Sequence, residues 1–167
     1  MFLLKEGEIN MKNIIKVFAL VLSLCLCVGC SSGNDELKTV KLAGEGNGVH
    51  TEMILEAKGD KVMTQTQISK MNIKDFDDET IKVVKDSMLE VEKMYGKYDF
   101  ATYSYEITDT EIIENIKIDF STKENIKAIS EAGLVQIEGD SKNTDFISLD
   151  QTVELLEKNL GLKVVSE

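Results

Sequence analysis

The sequence predicts an α+β fold: a two-layer sandwich, an antiparallel sheet of hairpins with helices packed on one face. Three observations lead there. Apolar and polar residues alternate from Val49 to Lys58 and again from Lys61 to Lys70, with only Gly59-Asp60 between them. A second pair of strand-like runs flanks Thr108-Asp109-Thr110. Apolar residues at spacings of three and four, opened by capping residues and closed by glycine, mark three helices. Hairpins make an antiparallel sheet, and the helical stripes need one of its faces. The other face is expected to meet water.

Leu37–Ala43 alternates as a short first strand, and Gly44–Gly48 reads as a glycine-rich loop. That loop lacks the Lys-Ser/Thr of a phosphate-binding loop and joins no strand to a helix. Along the next strand Val49, Thr51, Met53, Leu55 and Ala57 share one face, with His50, Glu52 and Glu56 on the other. After a Gly59-Asp60 turn of type II′, Val62, Thr64, Thr66 and Ile68 are expected on one side and Met63, Gln65 and Gln67 on the other.

The first long helix is expected over Asp78–Tyr95, capped by Asp75 or Asp77, with Ile81, Val84, Met88, Val91 and Tyr95 as its apolar stripe. Tyr98–Ile107 and Glu111–Phe120 form the second hairpin. In its second strand Ile112, Ile116, Ile118 and Phe120 share a face that Glu114 interrupts. Ser121-Thr122-Lys123-Glu124 is a capping box before a short helix that stops at Gly133. Leu134–Ile137 reads as a short strand and Gly139–Asn143 as loop. Ser148-Leu149-Asp150-Gln151 opens a last helix, ending at Gly161.

Location is written near the start of the chain. Lys12 and Lys16 precede an apolar run, Val17–Val28, too short for a helix crossing ~30 Å of hydrocarbon. Val28-Gly29-Cys30 followed by Ser31-Ser32-Gly33 resembles the lipobox of bacterial lipoproteins, with Cys27 where a leucine is usual. Residues 1–29 are therefore read as a signal peptide and Cys30 as the lipid-attachment site. Met1–Asn10 carries Glu6 and Glu8 ahead of the basic start, so translation is expected to begin at Met11. Residues 30–36 form a polar tether of only ~20 Å at full extension, and 37–167 a single domain. The expected place is the extracytoplasmic face of the cell membrane, held by lipid. The absence of Pro, Trp and Arg and the wealth of Lys, Ile and Asn suggest a low-GC Gram-positive bacterium.

Charge narrows the partners. The chain has 30 Asp and Glu against 19 Lys; removing the two acids and three lysines before Cys30 leaves 28 against 16, a net of −12. Such a domain is not built to bind nucleic acid or to lie on anionic lipid. All three cysteines fall at or before Cys30, so a disulfide framework and a nucleophilic thiol are not expected beyond it.

At Lys58-Gly59-Asp60-Lys61-Val62, followed by Gln65-Thr66 and, near the C-terminus, Thr152-Val153-Glu154-Leu155-Leu156-Glu157, the chain resembles the YehR-like bacterial lipoproteins. The resemblance spans nearly all of the chain after the lipobox. It implies a two-layer α/β domain and membrane attachment, and it brings no catalytic residues.

Chemistry is sparse. His50 is the single histidine, beside Glu52 on the expected open face; without a second His or a Cys, no metal or cofactor is expected. Asp75-x-Asp77-Asp78-Glu79 lacks the Gly and Glu of a calcium loop, whose places hold Thr80 and Asp86, and reads as helix capping. Tyr103 and Tyr105 share a strand face that reads as core, with Tyr98 off it. His50, Glu52, Gln65 and Gln67 together are the expected ligand-binding surface. The leading expectation is a non-enzymatic, membrane-anchored protein that binds a partner protein or an envelope ligand. The alternative is a carboxylate-based hydrolase acting on wall sugars.

Overall fold

The computed structural model describes Cys25–Cys27, residues 36–138 and residues 145–166. Most of the expected signal peptide, Cys30 and nearly all of its tether lie outside them. Among the described residues the strands are β1 (Cys25–Cys27), β2 (Leu37–Gly46), β3 (Val49–Lys58), β4 (Lys61–Asn72), β5 (Ala101–Ile107), β6 (Glu111–Asp119), β7 (Gln136–Glu138) and β8 (Lys163–Ser166). The helices are α1 (Asp78–Tyr95), α2 (Lys123–Ala132) and α3 (Leu149–Leu160). Six strands form one antiparallel sheet in the order β5-β6-β4-β3-β2-β8, while β1 and β7 pair in parallel apart from it.

The local signals act where they were expected, one cap being displaced by a residue. Asp77 Oδ1 accepts from the Thr80 N–H at 2.8 Å, which starts α1. Ser148 Oγ accepts from the Gln151 N–H at 3.3 Å at the start of α3. For α2 the cap is Thr122, one residue later than expected, accepting from the Asn125 N–H at 3.1 Å. Gly133 and Gly161 close α2 and α3 in the left-handed conformation, with φ 66° and 67°.

Three differences concern where the strands begin and end. First, Asn47 and Gly48 make a two-residue turn with φ 54° and 79°, and β2 continues through Gly46, so the ladder absorbs most of the expected loop. Second, β5 starts at Ala101 because Tyr98–Phe100 turn first: the Tyr98 N–H donates to Tyr95 O at 3.0 Å. Third, the chain does not stop at Gly161. Leu162 packs onto Gly44, and Lys163–Ser166 adds β8 beside β2.

The register of β3 with β4 shifts once. Ala57 pairs with Val62 and Glu56 with Thr64, leaving Met63 as an extra residue. Beyond that bulge the parity of β4 is reversed relative to simple alternation. Val62 points inward, and so do Gln65, Gln67, Ser69 and Met71, all buried; Thr64, Thr66 and Ile68 face outward.

The helices pack on the inner face. The larger cluster joins Leu42, Met53, Leu55 and Ile118 with Tyr95 of α1, Ile126 and Ile129 of α2, and Leu149 and Leu156 of α3. A smaller one joins Val49, Met71, Ile73 and Ile112 with Val84 and Met88 of α1. This is the α+β sandwich that the hairpins and helical stripes predict.

Candidate functional site

Two polar constellations stand out, one on each side of the sheet. The outer one begins with β3, where His50 and Glu52 alternate outward. His50 Nε2 lies 3.5 Å and the Lys70 ammonium 3.4 Å from Glu52 Oε1, and Glu45 Oε1 lies 3.9 Å from His50 Nδ1. These side chains are more than a third exposed, so water screens the pairs and their net contribution is small.

Beside them the register places three isoleucines in a diagonal. Ile68 sits opposite Glu52 and Asn115; Ile54 is opposite Thr66, and Ile113 opposite Lys70. Ile54, Ile68 and Ile113 thus cross β3, β4 and β6 two residues apart at each step, all partly exposed. The buried helical residues all belong to the opposite face, so no described helix covers this one.

The inner constellation is a polar row across the sheet. Gly44, Thr51, Ser69, Glu114 and Tyr105 stand side by side on β2, β3, β4, β6 and β5. The row separates the two apolar clusters. Glu114 is 2% exposed, and its Oε1 accepts from the Tyr103 hydroxyl at 2.8 Å. Burial pushes the Glu114 carboxyl up to about 7, against the opposing effect of the Tyr103 hydrogen bond. Burial and the neighbouring Glu114 raise the hydroxyls of Tyr95 and Tyr103 as well. Their rings stack with centroids 5.6 Å apart. Among the described residues Glu114 Oε2 and the Tyr95 hydroxyl have no hydrogen-bond partner.

The structure divides the expected quartet. His50 and Glu52 are on the open face. Gln65 and Gln67 are each 1% exposed on the inner face, where Gln67 Nε2 donates to Ser69 Oγ at 3.1 Å. The Met63 bulge is the reason, since it turns both amides through the sheet. The isoleucine diagonal was missed because the same bulge moves Ile68 to the outside. Glu114 left a signal, as the one charged residue in the apolar stripe of β6. Tyr103 is buried in the core and Tyr105 packs against it. Asp77 acts as a helix cap.

Residues 38–163 match a family model described as "Protein of unknown function (DUF1307)". The chain belongs to the DUF1307 family. The solved NMR structure of the Escherichia coli YehR protein is similar, with a TM-score of 0.56 and 23% identity, over 78% of this chain and 92% of that one. At that identity the likeness speaks for the fold, and it agrees with the resemblance to YehR-like proteins. An NMR structure of a protein from Streptococcus pneumoniae TIGR4 aligns with a TM-score of 0.48 and 12% identity, over 98% of this chain and 99% of that one. No curated protein matches the chain. The DUF1307 match runs from β2 to the first residue of β8, so it includes both the open face and the Glu114 row.

Proposed function

We propose that this DUF1307 chain is a non-enzymatic binding protein, anchored by lipid on Cys30 at the extracytoplasmic membrane face, which docks a partner protein on its open sheet face. The observation that carries the reading is the diagonal of Ile54, Ile68 and Ile113 beside the His50–Glu52–Lys70 cluster. An apolar centre bordered by charges of both signs suits a protein surface. A sugar-binding face would call for large aromatic rings to stack on, and the outer positions of β3, β4 and β6 carry no Phe, Tyr or Trp. Catalysis on wall sugars needs two carboxyl groups facing one bond; Glu52 instead pairs with Lys70 on an open sheet. Anchoring is supported by Met11–Cys30, and the short tether keeps the domain next to the bilayer.

The test is site-specific photo-cross-linking in intact cells. A photoreactive residue at Ile68 is expected to give a discrete protein adduct, and one at Glu90, exposed on α1, is expected not to. Cys30→Ala, in a chain that lacks residues 1–29, is expected to release the protein from the membrane fraction and to abolish the adduct. Equal adducts from both positions would remove the open face from the proposal. Retention in the membrane of a Cys30→Ala chain that lacks residues 1–29 would remove the lipid anchor.

A further inference from the structure

The two edges of the main sheet are built differently. β8 is four residues long, begins with Lys163, and meets β2 through a register shift between Lys41 and Leu42. A short, bulged, lysine-bearing edge discourages further strand pairing. β5 has none of these devices. It runs seven residues, Ala101–Ile107, pairs with β6 without a shift, and contains neither lysine nor proline. Among the described residues no strand pairs with its outer side.

The backbone direction on that edge follows from the ends of the hairpin. The Asp119 N–H donates to Phe100 O at 2.8 Å, and the Thr108 N–H donates to Glu111 O at 2.9 Å. Residues 100 and 108 therefore direct their peptide groups at β6. Alternation gives the same direction to 102, 104 and 106. The N–H and C=O groups of Tyr103, Tyr105 and Ile107 point away from the sheet, a template for one more antiparallel strand.

We infer that the strand it accepts is β5 of a second copy, the two chains pairing antiparallel about a two-fold axis at Ser104. The edge is self-complementary in that register. Ser104 faces Ser104 of the second copy, Thr102 faces Glu106, Tyr103 faces Tyr105, and Ala101 faces Ile107. The only charged side chain of β5, Glu106, thus never meets itself, and the aromatic pairs fall on the inner face, where such pairs favour pairing. Tyr103 and Tyr105 then exchange their free peptide groups with each other's partner. Strands added edge to edge keep their faces, so both copies of α1, which packs on β5, lie on one side of a twelve-stranded sheet formed from two of six. The two large apolar side chains that α1 leaves exposed, Leu89 and Met94, are on that side. The two open faces join on the other. The inference stands independently of lipid anchoring and of the partner protein.

The full chain in detergent, under reducing conditions, is expected to sediment at twice the monomer mass, and Ser104→Lys at the monomer mass with an unchanged circular dichroism spectrum. A wild-type monomer at every concentration overturns the inference and leaves the edge to an extended segment of another protein. A dimeric Ser104→Lys overturns it by locating the contact elsewhere. If Ser104→Lys does not fold, Ser104→Cys decides. Under oxidation it should give more disulfide-linked dimer than the wild type, whose own cysteines set the background, because opposed residues at such a position lie within disulfide reach. Thr102→Cys should not exceed that background. Equal linking by the two variants overturns the register.

Discussion

Asp60, in the turn between β3 and β4, and Ser148, at the start of α3, are hydrogen-bonded across 88 positions of chain, with Ser148 Oγ donating to Asp60 Oδ2 at 2.8 Å. The same carboxylate accepts from the Asp150 N–H at 2.9 Å, and the Leu149 N–H donates to Asp60 O at 2.8 Å. One turn residue thereby receives free N–H groups of the first turn of α3. It also holds the last helix against the hairpin, which brings Leu149 and Leu156 onto the core.

Asp60→Ala is expected to lower unfolding stability by about 1–2 kcal/mol, the usual range for loss of a helix cap with its hydrogen bonds. Urea denaturation measures it, and the slope m should not change. A loss under about 0.5 kcal/mol, as for an ordinary surface substitution, would show that Ser148 alone caps α3.

Glu114 makes stability depend on pH. Its carboxyl is near 4.5 when unfolded and is raised to about 7 when folded, so the folded chain holds this proton longer. The contribution is complete below about pH 4.5 and is lost as pH rises towards 7. The linkage amounts to about 3 kcal/mol over that window. Thermal melts from pH 4.5 to 7 should show the wild type losing stability relative to Glu114→Gln, which keeps an acceptor for the Tyr103 hydroxyl and has nothing to titrate. Parallel pH profiles for the two proteins would count against a buried, proton-binding Glu114.

Gly44→Ala is expected to loosen β8. A Cβ at Gly44 would stand 2.9 Å from Leu162 Cδ2 and 3.2 Å from Leu162 Cα, so side chain and backbone must both move. The cost is about 1–3 kcal/mol, typical of overpacking. Hydrogen exchange should show the β8 amides losing protection first. In a double-mutant cycle Leu162→Ala should recover part of the loss; strict additivity would mean that the contact is not the cause.

Gln65→Met is expected to be neutral or to stabilise the fold by about 1 kcal/mol, because it removes a buried acceptor that has no partner and fills a similar volume. Chemical denaturation decides. A clear destabilisation would reveal that the amide is satisfied in solution.

Much of the fold was legible from local chemistry. Val49–Lys58, Asp78–Tyr95 and Leu149–Leu160 have the ends that alternation, capping side chains and glycines predict, and Lys123–Ala132 starts one residue late, because those signals act within a turn or two of chain. Glu114 was visible as a charge inside an apolar stripe, although its burial was not. What alternation misassigned was the far half of β4. A bulge is a relation between two strands, and one extra residue at Met63 moves Gln65 and Gln67 into the core and Ile68 onto the open face. Asp60 reads locally as a turn residue, and its second role exists only once α3 is brought back to it. β8 is similar: Lys163–Ser166 is too short to announce itself, and it becomes a strand because Gly44 leaves room for Leu162 and β2 offers an edge. Local sequence specified the elements, since their energies are set by neighbours in the chain. The faces, the edges and the site were decided by packing, where the interacting groups are far apart in sequence.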